Sequence, residues 1–477
     1  MLDKKSLDPI LAYQHPLPFA DHNVQRAGST LNVEQRLAGL LKRDLTFKGE
    51  KTADASHNIH AFAAKFPPQI PKAFIKELTA PGEVVLDPMA GSGTTLIEAM
   101  LAQRFGIGVD LDPLASLVAK VKSTAFDLPR CARAGDYVLK EAKKSLHHVD
   151  DEELLSFYPP KAVEFFRYWF KDQTVNELFA LVRAIKKVAG PQIQAFLKVV
   201  FSACIITKSG GLTLARDLAH SRPHKDANKQ IKQDALSVFK DRIASALESL
   251  HDISQSPSMS SMIRADVRHL PLASDSVHLI VTSPPYAANA IDYMRAHKFS
   301  LIWLGYDPKA LSALRSVYIG SELRPRSIGT DSATGNRIIR KLGKIEEGRA
   351  AVVAHYYNEM KLSLLEMLRV LVSGRVAALV VGSSIIKGID IKAPTVLAEI
   401  AESIGFHVVG VARREIVRDA RMMPVSRNSE RSGIEARMHE EGVIGLIKPQ
   451  AGEAGRSPQA NNGAHLGTAG TVGKRSG

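Results

Sequence analysis

A doubly wound α/β sheet interrupted by a helical insertion is the fold this sequence predicts. Three observations carry it. Apolar four- to five-residue runs alternate with helical periodicity from residue 83 to 122. That β-α-β-α alternation is the mark of a parallel sheet wrapped by helices. It stops at about residue 130, where only helical periodicity continues to about 252, and it resumes at Met262.

In chain order, the first fifty or so residues are polar, with helical patterning over Leu31 to Leu41, and read as an extension packed on a core. Pro71 to Leu78 reads as a short helix with proline in its first turn, where the missing N–H costs nothing. Glu83 to Asp87 is a buried strand, Gly91-Ser92-Gly93 a turn, and Thr94 to Gln103 a helix. Gly106 to Asp110 is a second strand and Pro113 to Lys122 the next helix. The insertion carries helical patterns over Leu154 to Phe170, Val175 to Val188, Ile193 to Ile206 and Ala235 to Leu250. Trp169 and Phe170 sit at core spacing there. Ile263 to Asp266 and Leu279 to Ser283 are strands. Gly305 to Gly348 is polar, basic and glycine-dotted, and reads as a loop-rich excursion. A long helix over Val352 to Leu371 precedes a strand at Arg375 to Val381, a helix at Thr395 to Ile404, and strands at Phe406 to Ala412 and Gly442 to Ile447. The expected units are therefore an extension over 1–56, a first core half over 57–129, the insertion over 130–258, a second core half over 259–449 and a disordered tail over 450–477.

Composition narrows the class. Hydrophobic content of 45% with 23% charge is that of an ordinary soluble protein, and no apolar run is long enough to span a bilayer. The two cysteines, Cys131 and Cys204, fit a reducing, cytoplasmic setting and supply no metal framework. His147-His148 and Arg222-Pro223-His224-Lys225 lack nearby cysteines or paired acids, so no metal site is expected. Sixty-three Lys and Arg against 49 Asp and Glu leave +14, which favours polyanionic partners without naming one.

The segment Asp87-Pro88-Met89-Ala90-Gly91-Ser92-Gly93-Thr94-Thr95 lies between a strand and a helix. Glycines there let backbone approach a ligand at the carboxyl end of a sheet. No lysine follows the second glycine, so this is not a Walker loop, and Leu96 replaces the third glycine of a dinucleotide fingerprint. Asp87 would repel a pyrophosphate and attract a cation. Asp110, about twenty residues on, is placed for ribose hydroxyls. A ligand with a ribose and a positive charge and no phosphates is implied, and S-adenosylmethionine fits. A purely structural glycine turn is the alternative. Asp266, at the end of its strand, is either a turn residue or an acceptor for an adenine amine.

Ser283-Pro284-Pro285-Tyr286 follows a buried strand that two prolines must end, since proline donates no N–H. Stiff backbone carbonyls and a hydroxyl can accept from an exocyclic amine while the ring stacks on its face. A simple chain reversal is the other reading of the same residues.

Taken in this order, the glycine loop and Thr282-Ser283-Pro284-Pro285-Tyr286 resemble the cofactor loop and catalytic motif of the amino-group DNA methyltransferases. Ala64-Lys65-Phe66-Pro67-Pro68-Gln69-Ile70-Pro71 resembles the segment that closes over the methionine end of their cofactor. The resemblance covers about His57 to Ala125 and Ile263 to Lys448. It implies a seven-stranded, Rossmann-like sheet and S-adenosyl-L-methionine as cofactor. The implied cofactor contacts are Lys65, Phe66, Asp87, Pro88, Ala90, Gly91, Gly93, Thr94, Thr95, Asp110 and Asp266, with Ser283, Pro284, Pro285 and Tyr286 catalytic. It implies DNA as partner, base flipping, and, from Ser ahead of Pro-Pro-Tyr, cytosine N4 before adenine N6. Many relatives with Ser-Pro-Pro-Tyr carry that motif before the cofactor loop. Here it comes after, so the target-reading segment does not transfer, and the insertion is a candidate for it or for a lid. An RNA base methyltransferase and an inactive nucleic-acid-binding relative are the other readings. The basic clusters Arg324, Arg326, Arg337, Arg340, Lys341, Lys344 and Arg413, Arg414, Arg418, Arg421, Arg427, Arg431, Arg437 are either phosphate contacts or solvated faces.

Overall fold

A computed structural model describes residues 31–50, 54–63, 65–207, 212–215, 234–287, 292–321, 329–416 and 440–450. Seven strands form one sheet: β1 Val84–Asp87, β2 Phe105–Asp110, β3 Ser260–Arg264, β4 Val277–Thr282, β5 Leu371–Gly382, β6 His407–Glu415 and β7 Glu440–Ile447. Their order across the sheet is β3-β2-β1-β4-β5-β7-β6. The first five are parallel, and β7 runs antiparallel to both β5 and β6. The predicted doubly wound, seven-stranded architecture is therefore the one observed.

Alternation along the strands explains the two helical layers, because successive side chains in a strand point to opposite faces. Val85, Leu279, Val281, Ala378 and Val380 pack with helices Val33–Leu41 and Gln69–Leu78 on one face. Leu86, Ile280, Ala377 and Leu379 pack with helices Glu347–Val370 and Ala393–Ser403 on the other. The first helix of the extension opens on a capping box. Gln35 N–H donates to Asn32 Oδ1 at 2.8 Å, and Asn32 N–H donates to Gln35 Oε1 at 3.0 Å.

Three expectations need correction. Leu154 to Phe170 is two helices, Asp151–Leu155 and Pro160–Trp169, because Pro159-Pro160 cannot sit in a helix interior and instead opens the second one. The excursion from Gly305 to Gly348 holds helices Pro308–Ser316 and Ala333–Gly343. The second buries only Ile338, Ile339 and Leu342 beside Gly335, so its basic residues mask a narrow apolar stripe. Leu128–Lys144 and Tyr293–Leu301 are further helices that the sequence reading does not separate as elements. The expected tail from 451 onward lies outside the described residues, as do residues 1–30 of the extension. Arg222 to Lys225 lie outside them too, as do Arg324, Arg326, Arg418, Arg421, Arg427, Arg431 and Arg437 of the basic clusters.

The insertion and the sheet share one apolar cluster. Leu114, Val118 and Val121 of the core helix Pro113–Lys122 sit in it with Phe166, Phe179, Phe196 and Phe201 of the insertion. Trp303, just after Tyr293–Leu301, stacks on Phe166 with ring centroids 3.7 Å apart, and its carbonyl accepts from the Tyr158 hydroxyl at 2.9 Å.

Candidate active site

The chain reverses direction across the sheet between β1 and β4: β2 and β3 lie to one side and β5 to the other. Doubly wound sheets bind ligands outside the carboxyl ends of strands at such a switch point. The glycine loop leaves β1 and the Ser-Pro-Pro-Tyr turn leaves β4, and these strands are neighbours, with Leu86 opposite Ile280. A cleft of about 1140 Å³, its open mouth included, lies above them.

Of the residues expected from sequence, Lys65, Phe66, Pro88, Ala90, Gly91, Thr94, Asp110, Asp266, Ser283, Pro285 and Tyr286 line that cleft. Asp87, Gly93, Thr95 and Pro284 are not in its lining. Asp87, Gly93 and Thr95 support the loop from behind. Asp87 is 1% exposed: its Oδ2 accepts from the Thr95 hydroxyl at 2.8 Å and its Oδ1 from the Thr282 hydroxyl at 2.7 Å and from Met89 N–H at 3.2 Å. One carboxylate thus ties β1, β4 and the helix after the loop together. Burial raises its pKa to about 6 against the pull of these donors.

Gly91 and Gly93 take φ of +51° and +82°, a region that side chains avoid. A Cβ on Gly93 would stand 3.0 Å from both Cα and Cβ of Ala119. The loop is therefore pressed onto the helix Pro113–Lys122, and Gly91 N–H reaches Asp110 Oδ2 at 2.8 Å. Asp110 Oδ1 accepts from Asp112 N–H at 2.8 Å. Burial, then the Asp112 charge, lifts the Asp110 pKa to about 7.

Asp112 is a site residue that the sequence reading does not single out. A signal exists, since Asp112-Pro113 is an N-cap followed by proline, and its Oδ1 does accept from Leu114 and Ala115 N–H at 2.8 Å. Its Oδ2 accepts from the Tyr318 hydroxyl at 2.8 Å and lies 2.9 Å from His297 Nδ1. Burial opposes its charge, but His297 and these hydrogen bonds outweigh it and hold the carboxyl below its ordinary value. Phe62 and Tyr293, also unread from sequence, stack with centroids 5.6 Å apart at the cleft wall.

Lys65 donates to the His57 carbonyl at 3.0 Å, and Lys122 donates to the same oxygen at 3.0 Å. Lys122 is fully buried, and desolvation, with Lys65 nearby, pushes its pKa well down. His57 Nε2 lies 2.9 Å from Glu98 Oε1. This polar knot fixes the short turn Ala55–Asn58, which leads toward Phe62, Lys65 and Phe66 in the cleft lining.

Asp266 is engaged by a neighbour. Arg268 Nε donates to its Oδ1 at 2.8 Å, while other guanidinium nitrogens reach Glu359 Oε1 at 2.5 Å and the Val317 carbonyl at 2.9 Å. Burial opposes the Asp266 charge, but Arg268 outweighs it and lowers the pKa, so the carboxylate stays ionised at the cleft edge. In the proline turn, the Ser283 hydroxyl donates to the Val380 carbonyl at 2.9 Å. Its proton is committed, which leaves the oxygen as an acceptor. The Pro285 carbonyl accepts from the Tyr356 hydroxyl at 3.0 Å. Among the described residues no group of three or more His, Cys, Asp or Glu is placed to hold a metal ion.

Comparison with known proteins fits this geometry. A family model described as DNA methylase, for the N6 and N4 enzymes, matches residues 41–120, the span of the Phe62 wall, the glycine loop and Asp110. Over this span the chain is similar to the amino-group DNA methyltransferases. Type II methyltransferase M.MvaI of Kocuria varians is 22% identical over 410 residues, covering 81% of this chain and 88% of its own length. M.BsoBI of Geobacillus stearothermophilus is 21% identical over 450 residues, covering 80% and 86%. M.MjaII of Methanocaldococcus jannaschii is 32% identical over a shorter stretch of 126 residues, 26% of this chain and 24% of its own.

Proposed function

We propose that this chain transfers a methyl group from S-adenosyl-L-methionine to an exocyclic amine of a base in DNA, cytosine N4 ahead of adenine N6. The observation that carries this is the shared cleft: the glycine loop with Asp110 and the Ser283 to Tyr286 turn face one volume from adjacent strands. The donor set fits the cofactor. Two acids with raised pKa values, Asp87 behind the loop and Asp110 within the cleft, favour a cation and disfavour pyrophosphate. The positive φ at both glycines leaves backbone where a side chain would fill space.

Lys65 and Phe66 would hold the amino-acid end, Asp110 the ribose hydroxyls, and Asp266 the adenine edge. When bound, the cofactor supplies an electrophilic methyl on a sulfonium. The protein's part is orientation. Tyr286 stacks on a base flipped out of the duplex, since an amine inside the stack cannot reach the cleft. The Ser283 hydroxyl oxygen, its own proton given to Val380, accepts one amine N–H, and the Pro284 carbonyl accepts the other. That draws the nitrogen lone pair out of conjugation with the ring and aims it along the line of transfer. The serine ahead of Pro-Pro-Tyr supports cytosine.

The test is incubation with labelled cofactor and unmethylated DNA or RNA, followed by nucleoside mass spectrometry. N4-methylcytosine in DNA is expected. N6-methyladenine would reassign the base, and label in RNA alone would reassign the substrate. Tyr286→Ala and Ser283→Ala should each cut transfer by about a hundredfold or more. Wild-type rates in both would remove the catalytic assignment.

A further inference from the structure

The Tyr286 ring lines the cleft, but its hydroxyl points away into the protein. It donates to Glu441 Oε1 at 2.5 Å, across 155 residues of chain. Glu441 stands on β7 in register with Arg414 on β6, and the Arg414 guanidinium donates to the other carboxylate oxygen, Oε2. Arg414 is 4% exposed, and its Nε donates to the Leu45 carbonyl at 3.1 Å, so this member of the second basic cluster is neither a phosphate contact nor a solvated face. Each Glu441 oxygen therefore has its own donor, and the carboxylate cannot turn without breaking a charge-assisted bond. A phenol held at its hydroxyl cannot tilt its ring freely.

We propose that Glu441, clamped by Arg414, is a positioning residue for methyl transfer, fixing the Tyr286 ring at the angle on which the target base stacks. The inference rests on the reading of Tyr286 given above and adds what sets its geometry. Stacking alone tolerates a range of ring tilts, whereas in-line transfer does not. An anchor at the far end of the ring, outside the space the base would occupy, narrows that range without touching the substrate. The same clamp carries the Leu45 segment of the N-terminal extension into the support of the site. A purely structural pair joining β6 to β7 would instead affect stability and leave turnover alone.

Tyr286→Phe separates the two roles, because it keeps the ring and removes only the donor. With the full-length protein, kcat for transfer to unmethylated DNA is expected to fall by about tenfold to a hundredfold. The dissociation constant for S-adenosylmethionine should stay within about twofold. Glu441→Gln leaves one acceptor oxygen for two donors, so its kcat should fall between those of the wild type and Glu441→Ala. Tyr286→Phe combined with Glu441→Ala should be no slower than the worse single variant, since both cut the same link. Glu441→Ala strands a buried guanidinium, so the decision rests on Tyr286→Phe, which disturbs no charge. Full kcat in Tyr286→Phe, or losses that multiply in the double variant, would overturn the anchor. If the wild type transfers no methyl group to DNA or RNA, the reading of the cleft falls and the anchor with it. If the wild type is active and Tyr286→Phe matches it, the anchor alone falls.

Discussion

Burial in the cleft walls takes Asp110 and Asp87 from water, and the charges of Asp112 and Asp87 further raise the cost of ionising Asp110. With pKa values of about 7 and about 6, a fraction of these acids is protonated near neutrality. A sulfonium or ammonium arriving in the cleft favours the carboxylate forms, so the pKa values fall on binding and protons are released. The sign follows. Affinity for S-adenosylmethionine should be flat above about pH 8 and weaken below about pH 7, by up to about tenfold per unit for each acid that must ionise. Calorimetric titration between about pH 5.5 and about pH 8.5, in buffers of different ionisation enthalpy, measures both the affinity and the protons released. Asp110→Asn should weaken binding at about pH 8 and remove most of the slope below about pH 7. A dissociation constant that does not move across this range would show that neither carboxylate senses the ligand's charge.

At the scale of elements, the turn from β1 into the helix Thr94–Leu101 depends on two glycines at positive φ. Gly93 caps that helix in the left-handed region with Ala119 against it, so Gly93→Ala should cost about 1–2 kcal/mol from conformation alone, before the contact is relieved. Gly39 is the control. It is exposed within helix Val33–Leu41, and a Cβ there would meet nothing within 4 Å, so Gly39→Ala should stabilise by about 0.5–1 kcal/mol. Opposite shifts of the denaturation midpoint for these two variants are the expected result. Equal shifts would mean that the loop is looser than its contacts with Ala119 imply. These elements are readable because their signals are local: apolar runs, a glycine pair, a proline at a helix start. The support of the site is not. Glu441 and Arg414 lie on strands whose sequence says only that they are half buried, and Tyr286 meets them through a sheet pairing. Phe62, Tyr293 and His297 converge from segments more than two hundred residues apart, a distance no spacing rule spans. Ala333–Gly343 is hidden differently, since four basic residues in and beside it outweigh three buried aliphatic ones.

For the whole molecule, the question is whether the helical insertion is a separable unit. Its aromatic residues are shared with the sheet's own helices in one cluster. Both tryptophans sit at that junction: Trp169 packs edge-on to Phe299, and Trp303 lies flat on Phe166. Ser202 of the insertion donates to the Ser300 hydroxyl at 2.8 Å and pairs with His60 Nε2 at 2.8 Å, so polar groups are matched across the junction as well. A unit that folded alone would present a polar face here. The insertion and the sheet should therefore unfold together. Tryptophan fluorescence reports the junction and far-ultraviolet circular dichroism reports the helices and strands everywhere, so their thermal midpoints should coincide. Phe166→Ala removes the ring that stacks on Trp303 and should destabilise by about 3–5 kcal/mol, lowering both midpoints by the same amount. A fluorescence transition that precedes loss of circular dichroism would show the insertion detaching while the sheet holds. The rate of methyl transfer measured across the same temperatures then decides what the junction does. Activity lost at the common midpoint would mean that the cleft depends on the insertion, because Tyr293 and His297 reach the site from a helix whose far end is locked into that cluster.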